Sequence, residues 1–254
     1  MSKIDFLHLA RQFELECALR FFPAPDAGPV LDIGAGTGYQ AQLLAAYGFR
    51  VIAVDIADSA YHAQQVYPIT EYDGRTLPVA SRTIAVVFSS NVLEHIVDIN
   101  DFLDEIGRVV EPGGLAIHIL PTPAWRFWNI IGHYGWLGKR LFAGLFRRNA
   151  KNPIEVPPPP QVPTSWRRII STLFPLRHGE RGITLTEIHY YSCYWWTRQF
   201  EANGFRVLTS YPTGLFYSGA YIFGERLSID CRQRLSRVLG SSCRVYVLRH
   251  LENE

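Results

Sequence analysis

Apolar residues fall into two kinds of grouping along the chain. Unbroken apolar runs recur at Val30-Leu31-Asp32-Ile33, Arg50-Val51-Ile52-Ala53-Val54-Asp55, Ile84-Ala85-Val86-Val87-Phe88-Ser89-Ser90 and Leu115–Leu120. Runs of this length bounded by Gly, Pro and polar residues suit strands buried on both faces of a parallel sheet. Between them lie stretches with helical spacing. Residues 4–22 carry Leu7, Leu15, Leu19 and Phe22 and stop at Pro23 and Pro25, and residues 99–110 carry Phe102, Leu103, Ile106, Val109 and Val110 on one face. Gln40 to Tyr47 has helical composition, and Ile69 to Tyr72 reads as a short strand. In the last quarter, a helix over 195–202 ending at Asn203-Gly204, a strand over 205–211, a helix over 228–239 and a strand over 243–249 are expected. The pattern predicts an α/β domain.

Composition changes this picture little. The 254 residues are 48% hydrophobic and 19% charged, enough for one large domain over 1–254 with a covered core. Cys17, Cys193, Cys231 and Cys243 are scattered without a C-x-x-C pair, which favours free thiols in a reducing compartment. The first ten residues lack a signal-peptide core, and no apolar run approaches the roughly 20 residues of a membrane span. A cytoplasmic protein is expected. The net charge of +2 gives no case for nucleic acid.

The first apolar run leads into Gly34-Ala35-Gly36-Thr37-Gly38, a glycine-rich turn at the start of a helix. Such a turn lets a ligand lie directly on the main chain. A dinucleotide fingerprint wants G-x-G-x-x-G, and here the spacing is G-x-G-x-G with Tyr39 where the third glycine would stand. Asp32 ahead of the turn would repel a pyrophosphate but suits a ligand bearing an ammonium and a sulfonium. Asp55, about 20 residues beyond the turn, has the spacing and the two carboxylate oxygens for both ribose hydroxyls.

These motifs resemble the class I S-adenosylmethionine-dependent methyltransferases, in particular their type 11 group, closely over residues 28–120 and more loosely over 195–249. The resemblance implies a Rossmann-like seven-stranded sheet, mostly parallel with the last strand antiparallel, and S-adenosyl-L-methionine as cofactor, leaving S-adenosyl-L-homocysteine as product. It places the cofactor on Asp32, Gly34, Ala35, Gly36, Gly38, Asp55, Ile56, Asp73, Gly74 and Asn91. Asp73-Gly74-Arg75-Thr76-Leu77-Pro78 resembles the family's adenine-edge motif, with Val79 in place of its usual aromatic, and Glu111-Pro112-Gly113-Gly114 resembles the turn before the fifth strand. Residues 4–22 resemble the helix that caps the cofactor in many members, and a plain packing helix serves the pattern equally.

The same resemblance puts Asn91 and His95 nearest the methyl-transfer point. For His95 three roles stay open: general base, structural hydrogen-bonder or substrate-positioning group, and metal ligand. The quinone-biosynthetic O-methyltransferases use an acid at the position of Asn91 with the following Glu and His; Asn91 would deprive a cation of a charged ligand. No metal is expected.

Residues 121–186 interrupt the pattern between the fifth and sixth strands, where this family commonly places acceptor-recognition elements. Between Glu111 and Glu155 there is no acid, while Arg126, Lys139, Arg140, Arg147, Arg148 and Lys151 accumulate beside Trp125, Phe127, Trp128, Tyr134 and Trp136. Residues 136–148 read as a basic amphipathic helix, which suits packing on the sheet, an anionic membrane surface, or a lid over an anionic acceptor. Residues 152–163, with four consecutive prolines, read as an extended loop, and 166–174 as a short helix. Trp125, Arg126, His133, Arg147, Arg148 and Tyr190 are acceptor-binding candidates, and His189 is a catalytic or acceptor-binding one. The stretch Thr122-Pro123-Ala124-Trp125-Arg126 resembles methyltransferases found with bacterial surface-polysaccharide genes, which points to O-methylation of a glycan or lipid-linked glycan and to peripheral membrane contact. Methylation of a soluble small molecule, and cofactor binding by a non-catalytic regulatory protein, remain as alternatives.

Overall fold

The apolar runs become the middle of a seven-stranded sheet. A computed structural model describes residues 3–59, 62–147, 175–218 and 227–251. Strands β1 (Val30–Ile33), β2 (Val51–Ile56), β3 (Thr70–Tyr72), β4 (Ile84–Ser90), β5 (Val110–Pro121), β6 (Phe205–Pro212) and β7 (Cys243–His250) lie in the order β3-β2-β1-β4-β5-β7-β6. Strands β1 to β5 pair in parallel, and β7 runs antiparallel between β5 and β6.

Alternate residues of each central strand feed two separate cores. Leu31, Ile33, Val87, Ala116, Leu120, Tyr246 and Leu248 point to one face, where helix α3 (Ile99–Val109) supplies Phe102, Leu103, Ile106 and Val109. Val30, Val86, Phe88, Ile117, Ile119, Val245 and Val247 point to the other, against Leu15 and Ala18 of α1 (Lys3–Leu19) and Leu44 of α2 (Tyr39–Ala46). This is the period-2 signature of a sheet covered on both faces.

Two expected boundaries moved. The Pro-Gly-Gly turn does not precede β5 but lies within it as a bulge, with Gly113 at φ 81° and the pairing stepping from Ile84↔Val110 to Val86↔Leu115. The basic segment expected over 136–148 is the end of one 25-residue helix, α4 (Pro123–Arg147). Pro123 opens it, and Thr122 Oγ1 accepts from the Trp125 N–H. After α4 the described chain resumes at Pro175 and leads through the one-turn helix α5 (Glu187–Tyr190) to α6 (Cys193–Ala202), capped by Ser192, whose hydroxyl oxygen accepts from the Trp195 N–H. Helix α6 adds Trp196 and Phe200 to the α3 face. Helix α7 (Ile229–Leu239) is capped the same way by Ser228. The expected proline-rich loop at 152–163 and the short helix at 166–174 lie outside the described residues.

The sheet buries one imidazole. His118 on β5 is inaccessible, its Nδ1 lies 2.8 Å from Ser89 Oγ, and its ring stacks on Phe200 with centroids 5.9 Å apart. Burial pushes its pKa down to about 3. The unfolded chain therefore binds a proton near pH 6.5 that the folded chain refuses, and stability falls as the pH drops from about 6.5 toward 3. In urea unfolding at pH 7 and pH 5, His118→Phe should gain stability relative to the wild type by up to ~1.4 kcal/mol per pH unit below 6.5. A difference independent of pH would contradict this.

Candidate active site

The glycine turn leaves the C-terminal end of β1 and curls over β2. Gly34 and Gly38 have φ of 67° and 76°, and a Cβ would lie 2.5 Å from a Val92 methyl at the first and 2.7 Å from the Tyr67 Cβ at the second. Only glycine fits both positions. The Gly34 and Ala35 N–H groups donate to the Val54 carbonyl, fixing the turn to the end of β2.

Two carboxylates sit at this turn. Asp55 Oδ2 accepts from the Gly36 N–H at 2.8 Å and the Ser59 hydroxyl at 3.0 Å, and its Oδ1 accepts from the Ile56 N–H at 2.8 Å. Asp32 is 2% exposed, and its Oδ2 has no hydrogen-bond partner. Burial, and then the charge of Asp55, push the Asp32 pKa up to about 8. A buried acid with an orphaned oxygen is costly unless a ligand meets it, and a cationic one offsets the charge as well.

Cavities flank the turn on both sides. One is lined by Gly34, Gly36, Thr37, Tyr39 and Asn91 together with Leu7, His8 and Arg11 of α1. His8 stacks on Tyr39 at 4.2 Å. Helix α1 thus both packs on the sheet through Leu15 and Ala18 and closes this cavity. The other is lined by Ile56, Asp73, Gly74, Arg75 and the segment from His95 to Asp98. Asp73 Oδ1 accepts from the Arg75 and Thr76 N–H groups, which hold its carboxyl below the usual carboxylate range. The turn, the ribose-type acid and the two cavities follow the C-terminal edge of β1 and β2, where ligands bind in open α/β sheets. The orphaned Asp32 oxygen and the glycine cradle fit a cationic nucleoside cofactor.

Asn91 follows β4 in the left-handed region, at φ 57°. Its N–H donates to the Ile119 carbonyl, and its Oδ1 lies 3.5 Å from the Cys243 thiol. The next turn, Leu93–His95, carries Glu94, which is 1% exposed and has both carboxylate oxygens unpartnered. Burial pushes the Glu94 pKa up to about 8. His95 Nε2 lies 3.9 Å from Glu94 Oε1, and the His95 ring meets that of His178 edge-on at 4.7 Å. Desolvation holds both imidazoles below the ordinary histidine range, His178 at about 4.

The returning segment is fastened to this turn. Glu180 donates its N–H to the Glu94 carbonyl, and Arg181 donates to the Leu93 and Ile96 carbonyls. Glu187 Oε1 accepts from the N–H groups of His178 and Gly179, each at 2.7 Å, while Arg126 of α4 pairs with Glu187 at 2.7 Å. Arg126 also donates to the Thr184 and Leu176 carbonyls. This corrects one expectation: the Arg126 guanidinium is committed to holding the insertion together and is not presented to an anion.

The other sequence candidates divide. Trp125 reaches the histidine pair, its ring 4.6 Å from His178. His189 is exposed, with its ring beside Tyr190 at 5.5 Å, and it is His178 that the fold brings to His95. Tyr190 packs on Trp195. His133 lies on α4 beside Tyr134 and Trp136. The side chains of Arg147 and Arg148 fall outside the described residues. The structure adds four side chains that were not among the sequence candidates: His8 and Arg11 line the first cavity, and Glu94 and His178 lie beside His95. For Glu94 the signal was present, an acid inside an otherwise apolar turn next to His95; for His178 it was not, because its partner is 83 positions away.

The Asp32 shift makes a prediction. Its folded pKa lies above its unfolded value, so the stabilisation is full below about pH 4 and is lost as the pH rises through about 8. In thermal melts of the ligand-free protein, Asp32→Asn should gain on the wild type steadily between pH 5 and pH 8, while binding S-adenosylhomocysteine more weakly. Parallel melting curves across that range would contradict the assignment.

Residues 31–118 match the model of the methyltransferase domain family. The chain is 34% identical over 107 residues to a probable S-adenosylmethionine-dependent methyltransferase of Mycobacterium tuberculosis, covering 41% of this chain and 39% of that protein. It is 36% identical over 104 residues to the biotin biosynthesis bifunctional protein BioHC of Cellvibrio japonicus, covering 39% of this chain and 21% of that protein. The chain thus spans less than half the length of either. In fold it is similar to S-adenosylmethionine-dependent methyltransferases from Mesorhizobium loti, with a TM-score of 0.55 at 12% identity over 94% of this chain and 98% of that one, and from Aquifex aeolicus, with 0.51 at 15% identity over 97% and 96%. Glycine cradle, orphaned acid and strand order agree with the match of residues 31–118 to the methyltransferase domain family, and the fold is that of class I S-adenosylmethionine-dependent methyltransferases.

Proposed function

We propose that the chain is an S-adenosylmethionine-dependent methyltransferase acting on a hydroxyl of a glycan or lipid-linked glycan. One observation carries the cofactor half: a glycine turn bracketed by two buried carboxylates, Asp32 with an orphaned oxygen and Asp55 held at the β2 terminus. Asp55 would accept from the ribose hydroxyls, Asp73 and the Gly74 N–H would meet the adenine edge, and Ile56 would lie against the base. Gly34 to Gly38, Asp32 and Asn91 would hold the amino-acid end, closed over by α1. When bound, S-adenosylmethionine supplies a methyl already electrophilic on its sulfonium, so the protein's main task is alignment of the acceptor. His95, which lines the adenine-side cavity, and Trp125, on the first turn of the insertion, would position that acceptor.

The lipid part of the reading rests on α4. Phe127, Ile131 and Tyr134, spaced to share one helix face, are each more than two-fifths exposed. Trp136 stacks under the Arg140 guanidinium at 5.3 Å, and Lys139 stands between them in sequence. Exposed aromatics beside cations suit a lipid carrier or an anionic lipid surface. Among the described residues no helix is long and apolar enough to cross a membrane, so contact would be peripheral. Methylation of a soluble acceptor is the second reading, favoured by the closeness of His95 to the adenine-side cavity.

The test uses purified protein, S-adenosylmethionine, and a saccharide offered either free or on a polyprenyl diphosphate. Release of S-adenosylhomocysteine with the lipid-linked acceptor, reduced at least tenfold by Phe127→Asp at unchanged cofactor affinity, is expected. Equal turnover of the free saccharide would select the soluble-acceptor reading. No turnover with any hydroxyl acceptor, with cofactor still bound, would leave a regulatory binding protein.

A further inference from the structure

Glu94, His95 and His178 form a cluster that neither the fold nor the cofactor cleft requires. Their ligating atoms, one carboxylate oxygen and two imidazole nitrogens, lie within 4.8 Å of one another. Glu94 is 1% exposed, and neither of its side-chain oxygens has a hydrogen-bond partner. A buried acid whose two oxygens both lack a hydrogen-bond partner carries an uncompensated desolvation cost, which a ligand meeting those oxygens would relieve. Arg11 and Arg181 act on Glu94 only through space, with no hydrogen bond to its carboxylate, and the groups whose ligating atoms lie beside it are His95 and His178. Both rings keep an edge at the surface, leaving a path for an ion to enter.

We infer that Glu94, His95 and His178 bind a divalent transition-metal ion. Two imidazoles and one carboxylate suit Zn2+, Fe2+ or Mn2+ better than Mg2+, which prefers an all-oxygen octahedron. The ligand distances such ions need, about 2.0–2.2 Å, require the His95 and His178 side chains, whose ligating atoms now lie within 4.8 Å of each other and of Glu94, to close in around the ion. The surroundings hold the ligands rather than merely permitting them. The Glu94 carbonyl accepts from the Glu180 N–H, and the His178 and Gly179 N–H groups are gripped by Glu187. Trp125 walls one side of His178. The absence of an acid at Asn91 removes one possible ligand, and the segment after α4 supplies another from a different part of the chain.

Three protein ligands leave at least one coordination position open. Under the methyltransferase reading, on which this role but not the binding itself rests, that position would take an oxygen of the acceptor. An acceptor with two neighbouring oxygens, such as a vicinal diol, would hold best.

The experiment uses the full chain stripped of metal by a chelator. Zn2+ is titrated calorimetrically and Co2+ by its visible absorption, with S-adenosylhomocysteine binding measured on the same samples. One ion per chain is expected, with affinity lowered at least tenfold in His178→Ala and in Glu94→Gln and unchanged in His189→Ala. His178→Ala alters an exposed side chain and should retain S-adenosylhomocysteine binding, which reports that it is folded. No Zn2+ binding by the wild type, or one-to-one binding untouched by His178→Ala, would overturn the inference. Loss of S-adenosylhomocysteine binding with metal binding intact would instead sink the cofactor reading alone.

Discussion

Two buried carboxyl groups held side by side, close enough that burial and the charge of Asp55 favour the neutral form of Asp32 in the ligand-free protein, are the constraint around which the cofactor end of the sheet is arranged. Asp32 lies on β1, third of the seven strands, and Asp55 near the end of its neighbour β2, and their proximity adds to the cost that burial already imposes on Asp32. A shift from 3.8 to about 8 corresponds to a cost on the order of 5 kcal/mol for ionising Asp32 in the ligand-free protein. That is comparable to the whole stability of many domains. The ligand-free protein avoids most of this cost by leaving Asp32 protonated, while backbone donors hold Asp55 and helix α1 closes the open side. Strain of this sort is kept where a ligand resolves it.

The parallel half of the sheet was readable because its strands are unbroken apolar runs. Glycine spacing and the Asp32–Asp55 interval marked the cofactor turn for the same reason: the signal is local, and steric demands at Gly34 and Gly38 leave no other residue possible. Helix α4 was half legible. Gly132, Gly135 and Gly138 interrupt its middle and lower helical propensity there, so periodicity alone began the helix at Trp136 although Pro123 had already opened it. The bulge at Gly113 was mistaken for a full turn because a Pro-Gly-Gly string has the same composition in both settings.

The docking of the insertion was largely illegible, and the reason is tertiary. Residues 175–191 return to the turn at 93–96 through main-chain hydrogen bonds and the buried Arg126–Glu187 pair, none of which leaves a periodic trace in the sequence. The choice between His178 and His189 turned on that docking. Lone histidines 11 residues apart look alike in a string; only the fold sets one against His95 and leaves the other in solvent. Arg126 likewise read as an anion ligand by type, whereas its burial against Glu187 makes it a brace between α4 and the histidine-bearing segment.

The most direct measurement is a crystal structure of the protein with S-adenosylhomocysteine. The account predicts the ribose hydroxyls on Asp55, the adenine edge at Asp73 and Gly74, and the amino-acid end in the cavity lined by Gly34, Gly36, Asn91 and His8. Ligand bound instead in the groove at the opposite edge of the sheet, among Arg82, Arg108 and His250, with the Asp55 environment unchanged, would contradict it.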